Sequence, residues 1–513
     1  MRYFILLITI IIGVSMSCRT RNAETFTIAL SDTFSSLDTL TTTGNDAAGE
    51  RLRTLIFNSL VKKNENFDYV GDLASDIKTS DDGTTLTFTL RDNVKFHNGK
   101  VLSSADVKYT LDTLFASKGT KRASFFEKDV PSIASLETPD AKTVVLKVRT
   151  PALRAKILSS LVAIPIIPEG SAQTQIEKPT GSGAFKFLSF DRSQNNVELE
   201  ANVDYFDGAP NIKKLRVKTV TDANALQAEL QAQRVDLVPL PSNLSSDTFG
   251  SLAKDPNLKV EQFNGSNIRY LGFNIENEPL NNVKVRQAIA YAINRQELID
   301  NLLSGQAKPA SSILPADSWA YAAGNSYGFD TAKARQLLDE TDFKDTNGDG
   351  KREMPVIKFK IQGGSTAVSQ YAQIIQKQLS DVGIQVEIDP IEANAMREQV
   401  SKGQFQMTTG IWVGGNQDPI FLRDLYSTGA IGGFNRSRYS NKELDGILDQ
   451  AIAEPNRDKS KQLYAQAQEI ISRDLPMLPL WYPANMAVAN KRVGNIKIDG
   501  SGDWSFVRNL TIK

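Results

Sequence analysis

Two stretches of the chain carry a strand–helix–strand pattern, and the distance between them limits the architecture. In the first, Leu215 and Val217 mark a strand, Asp222 caps a helix through Leu226 and Leu230, and Val235 to Leu240 returns as a strand ended by Pro241. In the second, Ile357, Phe359 and Ile361 precede a helix with Val368, Tyr371, Ile375 and Leu379. Gly383 stops that helix, and Ile384, Val386 and Ile388 form the return strand. A strand that comes back parallel after a helix needs a helix-covered, largely parallel sheet. About 120 residues separate the two units, too many for one continuous winding. The pattern predicts an α/β protein of two lobes, and a length of 513 residues leaves room for roughly three structural units.

The rest of the chain adds local signals. From Asp81 a turn leads into Leu86, Phe88 and Leu90 alternating with threonines, a half-buried strand that Val94 and Phe96 extend. An Asn-Gly turn follows. Ser103 with Asp106 three residues on is a capping-box start for a helix carrying Val107, Leu111 and Leu114. A single helix is predicted from about Lys284 to Leu303, with Gly305 as its stop. Two amphipathic helices follow, one through Leu444, Ile447 and Leu448 and one through Leu463, Ala467 and Ile470.

Composition removes whole classes of chemistry. The 59 basic and 59 acidic residues cancel, and no Lys/Arg block forms a phosphate-tracking stripe, so nucleic acid is not an expected partner. One Cys and one His exclude an internal disulfide, a Cys-rich metal centre and HExxH chemistry. The apolar run Phe4 to Val14 after Arg2 is too short to span a bilayer and reads as a signal peptide, residues 1–17, with the only Cys, Cys18, at the place of lipoprotein-type cleavage. A plain secretory leader with an incidental Cys is the alternative, Ser15 standing where such sites carry an aliphatic residue. On the first reading the chain is exported and held to a membrane by lipid alone.

No Walker A, GxGxxG or CxxC string occurs. Ser75 to Lys78 matches SxxK by chance, and His97, beside a turn, reads as a solvated surface residue. No catalytic residue is assigned. Asp345, Asn347 and Asp349, with Gly350, match positions 1, 3, 5 and 6 of a calcium loop, and Glu353 could fill position 9. Val356 stands where the bidentate Glu belongs, and an Asp/Asn/Gly-rich turn needs no metal. No cofactor is expected, with structural calcium as the minor alternative.

At "LASDIKTSDDGTTLTFTLRDNVKFHNGKVLSSADVKYTL", residues 73–111, the chain resembles the bacterial extracellular solute-binding proteins of the oligopeptide, dipeptide and nickel group, family 5, which serve ABC importers. "PTGSGAFKF", "NVDYFDGAPNIKKLRV", "LGFNIENEPLNNVKVRQAIAYAINRQEL", "FDTAKARQLL", "AQIIQKQLSDVGIQVEI" and "DPIFLRDLYSTG" continue it in order, and the "DTNGDG" loop is frequent at this place in the family. The resemblance implies a two-lobed periplasmic-binding-protein-like fold with an additional domain inserted in the first lobe. Lobe I would take residues 18–57, 182–267 and 486–513, the inserted domain 58–181, and lobe II 268–485. It implies a monomer on the periplasmic or cell-surface side, whose partners are a small-molecule or peptide ligand and the ABC permease and ATPase subunits. The lobes would close on the ligand about a hinge.

The family's peptide binders carry a Trp followed three residues later by an Asp that pairs with the peptide ammonium. Here the Trp is Trp412 in "IWVGGNQDP" and the Asp is replaced by Gly415. Candidate ligand residues on lobe II are therefore Thr409, Trp412, Gly414, Gly415, Asn416 and Asp418, with Asp418 also readable as a helix cap. Thr409 stands where some tripeptide binders have an Arg for the carboxylate. On lobe I, Asn45, Asp46 and Ala47 would face Trp412, and Asn58-Ser59 replaces the family's acidic-Gly pair. Oligopeptide is the expected cargo. The loss of the carboxylate at 415 keeps oligosaccharides or other neutral solutes open, and a signalling receptor or extracytoplasmic chaperone on the same fold is the further alternative.

Overall fold

The computed structural model describes residues 25–34, 36–38, 40, 46–117, 133–414 and 417–513. The leader and Cys18 lie outside the described residues. A seven-stranded sheet takes, in spatial order, Leu258–Phe263, Asn485–Asn490, Leu237–Pro239, Thr25–Leu30, Lys214–Thr219, Asn196–Ala201 and Phe185–Asp191. A six-stranded sheet takes Ala307–Pro309, Met477–Pro483, Ile268–Phe273, Met407–Trp412, Ile357–Gln362 and Val386–Ile391. A four-stranded antiparallel sheet, Ala74–Thr79, Thr85–Leu90, Thr143–Val148 and Ile133–Asp140, lies in the sequence between Thr25–Leu30 and Phe185–Asp191, the first two strands of the seven-stranded sheet in chain order. These are the sheets of lobe I, lobe II and the inserted domain.

Neither large sheet is largely parallel, contrary to the reading of the two strand–helix–strand units. In lobe I only Thr25–Leu30 pairs in parallel, with Lys214–Thr219 on one side and Leu237–Pro239 on the other. In lobe II only Ile357–Gln362 does, with Val386–Ile391 and Met407–Trp412. The flanking strands are antiparallel. The two strands of the first unit are not even neighbours, because the first described strand of the chain fits between them. Its partners are far away in sequence, and a local pattern carries no record of them.

Three further expectations change. The helix read from Lys284 to Leu303 is two, Val283–Ala292 and Arg295–Leu302. Ile293 is extended, and Asn294 caps the second helix by accepting from the Glu297 N–H at 3.1 Å while its own N–H goes to Gln378 Oε1. Val94 and Phe96 are buried but lie beyond the strand Thr85–Leu90, next to an isolated bridge between Lys95 and Val101. The capping box at Ser103 forms as read, and Asp106 also holds Lys100 at 2.6 Å and the Glu169 N–H at 2.8 Å.

The cores show which parts move together. Phe26, Ile28 and Leu30 of lobe I share one continuous buried cluster with Leu86, Phe88, Val107, Leu111, Val144 and Leu146 of the inserted domain. Lobe II has its own two clusters, one on each face of its sheet: Leu271, Phe273 and Phe359 on one side, Ile268, Tyr270 and Trp412 on the other. Close-packed interiors resist shear, so lobe I and the inserted domain form one body and lobe II another. At the joint of the first body the strand entry "PTGSGAFKF" runs against the end of the helix Ala47–Ile56. A Cβ on Gly183 would stand 2.4 Å from the Ile56 carbonyl carbon, and the Gly183 N–H donates to that carbonyl at 2.8 Å.

The chain passes between the bodies twice, between Phe263 and Ile268 and between Pro483 and Asn485. The crossings touch: a Cβ on Gly265 would lie 2.0 Å from the Pro483 carbonyl oxygen. Asn485 Nδ2 donates to the carbonyls of Asp499 at 2.8 Å and Asn264 at 3.3 Å, and the Ser266 N–H donates to the Gly500 carbonyl.

His97 is half-buried, with its ring turned to a backbone carbonyl, in place of the solvated surface residue expected. Its Nε2 lies 2.9 Å from the Gly183 carbonyl oxygen, and its backbone N–H donates to Gly181 at the same joint. Burial pushes the imidazole from 6.5 down to about 4, against the opposing hydrogen bond to Gly183. Between these values the unfolded chain takes up a proton and the folded chain does not, so the stabilising neutral form is fully effective above pH 6.5 and is lost on acidification. We expect His97→Gln, which can still donate to Gly183, to flatten the urea-measured stability between pH 6.5 and pH 4 by up to ~3 kcal/mol relative to the parent. Parallel pH profiles for the two proteins would refute the burial assignment.

Candidate functional site

The lobe II wall is built on the strand Met407–Trp412 and the segment after it. Thr409 is buried; its Oγ1 donates to the Tyr270 carbonyl at 2.9 Å and meets the Tyr371 hydroxyl at 3.2 Å, so its side chain is engaged within the lobe. Trp412 is only 8% exposed. Tyr270 stacks on it at 5.4 Å, the Arg436 guanidinium lies 4.8 Å from its ring centroid, and Phe421 and Phe434 meet it edge-on at 5.3 and 5.8 Å. Direct stacking of a ligand on the indole would require one of these neighbours to leave. In this structure Trp412 supports instead: it backs Phe434, whose ring is half exposed, beside the exposed Val413. Gly414 has φ +72°, and among the described residues no heavy atom lies within 4 Å of the place a Cβ would take, so a backbone or ring can come close there. Gly415 and Asn416 lie outside the described residues.

Asp418 is buried and committed. It accepts from the Ile420 N–H at 3.0 Å, opening the turn into the helix Phe421–Tyr426, and the Tyr69 hydroxyl of the inserted domain donates to it. Burial raises its pKa, opposed by the nearby Lys63 ammonium; Lys63 is lowered by its own burial, opposed by Asp418. Asp418 therefore closes a turn just before the helix, whose cap position is Ile420, instead of capping the helix itself, and it makes a contact across the cleft in place of a free carboxylate for a ligand.

On lobe I, Asp46 caps the helix Ala47–Ile56 by accepting from the Gly49 N–H at 2.7 Å, and Ala47 is exposed at the first helical position. Asn45 lies outside the described residues. Asn58 explains its departure from the family: its Nδ2 donates to both oxygens of Asp72 at 3.1 Å, and the Tyr205 hydroxyl lies 3.0 Å away. Burial raises the Asp72 pKa, with Lys62 and Asn58 opposing. An acidic residue at 58 would set two buried carboxylates face to face.

A cavity of about 790 Å³ opens between the inserted-domain hairpin and the C-terminal segment of lobe I, with one lobe II residue at its edge, within the size range of small-ligand sites. The inserted-domain hairpin supplies Lys62 and Lys63, the C-terminal segment supplies Asp499, Asp503 and Arg508, and lobe II supplies Gln417. Gln417 Nε2 donates to Ser266 Oγ at 2.9 Å, tying this wall to the hinge. Asp499 is pushed up to about 6 by burial, with the like charge of Asp503 adding to it. The cavity thus presents Lys62 and Lys63 beside Glu65 and Asp72 on the inserted-domain side, and Asp499 and Asp503 beside Lys497 and Arg508 on the C-terminal side. Sequence reasoning missed all of these residues, because each is an ordinary charged residue in a turn or strand and only the fold brings positions 62–63, 417 and 499–503 together.

The calcium-loop residues serve their own backbone. Asp345 accepts from the N–H groups of Gly348 and Gly350 at 2.7 and 2.9 Å, Asn347 from Asp349, and Asp349 from Lys351. Glu353 accepts from the Thr346 N–H and hydroxyl. Among the described residues no group of three or more His, Cys, Asp or Glu side chains is placed to hold a metal, and no helix is long and apolar enough to cross a membrane.

Residues 68–434 match the family described as bacterial extracellular solute-binding proteins, family 5 Middle. Heme-binding protein A of Haemophilus influenzae is 28% identical, over 85% of this chain and 83% of its own length. A putative ABC transporter peptide-binding protein of Brucella suis is 32% identical, over 83% of this chain and 81% of its own. The solved structure of the oligopeptide-binding protein AppA of Bacillus subtilis, in complex with a nonapeptide, superposes with a TM-score of 0.69 at 26% identity, covering 95% of this chain and 99% of that one.

The enclosure of Trp412 gives a direct prediction. Trp412→Ala should lower global stability by ~3 to 5 kcal/mol in denaturant unfolding, the cost of emptying a buried aromatic site. A loss under ~1 kcal/mol would mean that the indole faces open space.

Proposed function

The chain belongs to the bacterial extracellular solute-binding proteins of family 5, and on that premise we propose that it captures a peptide with free termini between its lobes and delivers it to an ABC importer. The observation that carries this reading is the pairing, in the cavity beside the hinge, of Lys62 and Lys63 on the inserted hairpin with Asp499 and Asp503 on the C-terminal segment. A zwitterion placed between them meets a carboxylate at its ammonium and an ammonium at its carboxylate, each a charge-assisted contact. The Asp499–Asp503 pair then does the work that the family's peptide binders assign to the Asp replaced here by Gly415. The relatives support the class: the Brucella protein is named as peptide-binding, and the Bacillus protein holds a nonapeptide.

On this reading the chain is exported, works outside the cytoplasm as a binder rather than as an enzyme, and is tethered through Cys18. A neutral solute such as an oligosaccharide is the second reading, favoured by the open space around Gly414.

Native mass spectrometry of the protein as purified separates the two. We expect a ladder of peptide masses released on denaturation; one non-peptide mass would replace the peptide reading by the second. Asp499→Asn should then weaken binding of those peptides about tenfold, or ~1.4 kcal/mol, as measured by calorimetry. Because the carboxylate must be ionised to hold an ammonium, the parent's affinity should also fall as the pH drops below about 6. Equal affinity in the variant, or a flat profile from pH 7 to 5, would move the ammonium site elsewhere.

A further inference from the structure

The hairpin of Val61–Lys63 and Tyr69–Gly71 belongs to the lobe I body by its packing. Leu60 and Val61 sit in the shared core, and the Phe67 ring closes on Gly500. Its tip, however, grips lobe II. Asp68 forms an ion pair with Arg457, whose guanidinium lies 3.4 Å from the ring centroid of Trp319. The Trp319 N–H donates to the Asn66 carbonyl at 3.1 Å, and one residue past Asp68 the Tyr69 hydroxyl donates to Asp418. A second element of the inserted domain joins in: Arg154 donates to the Glu454 carbonyl at 2.9 Å, three residues before Arg457.

These contacts have two properties in common. Each crosses between the bodies that only the hinge connects, so each is made when the lobes are together and broken when they part. Each is protein to protein, so none waits for a ligand. Arg457 is held from two sides at once, by a carboxylate and by an aromatic face, and it is half exposed, as is Asp68 at 27% of its side-chain surface. Contacts of this kind are individually weak. Summed, they bias a two-state equilibrium without locking it.

We propose that the hairpin tip is a ligand-independent clamp, through which the inserted domain sets the fraction of unliganded molecules that are closed and slows release of a captured ligand. This rests on the two-lobe capture reading. A protein that is partly closed before binding has less conformational free energy left for the ligand to supply, and a ligand leaves only after Asp68–Arg457 and Tyr69–Asp418 have parted.

Double electron–electron resonance on the full chain tests this without knowing the ligand. Cys18 is the only cysteine, so Cys18→Ala permits labelling at Lys78→Cys on the inserted domain, where the side chain is 77% exposed, and at the exposed Lys461→Cys on lobe II. In the unliganded parent we expect a short-distance population, reduced at least threefold relative to the long one by Asp68→Asn with Arg457→Gln. Tyr69→Phe, which keeps the ring and removes only the donor, should shift the ratio the same way and carries the test if the double variant does not fold by circular dichroism. The probe for closure is a tryptic digest of casein, which should restore the short distance in both variants. If the digest closes the parent but unliganded parent and variants have identical distributions, the clamp is refuted and the capture reading stands. One fixed distance in every sample, with or without digest, refutes both.

Discussion

The close passage of two backbone segments at the hinge governs the rest of the molecule. Asn264 to Ser266 runs against Pro483 to Asn485 so tightly that position 265 has no room for a side chain. Two crossings at one place allow rotation about their common line and little else. Asn485 fixes that line to lobe I through the Asp499 carbonyl, and Gln417 fixes it to lobe II's wall through Ser266. The same few residues therefore join the bodies and stand beside the cavity.

Because lobe I and the inserted domain share one core, motion at the hinge moves them together, and the inserted hairpin is carried like a rigid arm. This explains why a domain with its own sheet contributes Lys62 and Lys63 to the cavity and Tyr69 to a contact with Asp418, instead of folding away from the cleft. The charges at the meeting surface are partly desolvated when the bodies approach. Lys63 and Asp418 show the effect in opposite directions, the cation lowered and the carboxylate raised, each moderated by the other. A pair of this kind costs free energy to bury and repays it only in good geometry, which makes the surface discriminating as to how the lobes come together.

Much of the local structure was legible in the residues. The alternation of Leu86, Phe88 and Leu90, the capping box at Ser103, the Asp222 and Gly383 signals and the two late amphipathic helices all act within a few residues and are read from a few residues. The Asn294 cap was equally local and could have been found from Asn-Arg-Gln-Glu, where Glu297 follows the cap by three positions. The candidate site was legible in part. The resemblance pointed to Trp412, but not to its enclosure by Tyr270, Arg436, Phe421 and Phe434, since those four come from three separate stretches of chain.

The sequence by itself determined the element types, the two-lobe division and the family, because hydrophobic period, caps and an ordered set of motifs are properties of neighbouring residues. Only the tertiary structure decided the sheet directions, the burial of His97 against Gly183, the commitment of Asp418 to Tyr69 and the assembly of Lys62, Lys63, Asp499 and Asp503 around one cavity. The physical reason is the same in each case. Desolvation and pairing depend on what lies opposite a residue in space, and here the opposite partner is tens to hundreds of positions away along the chain.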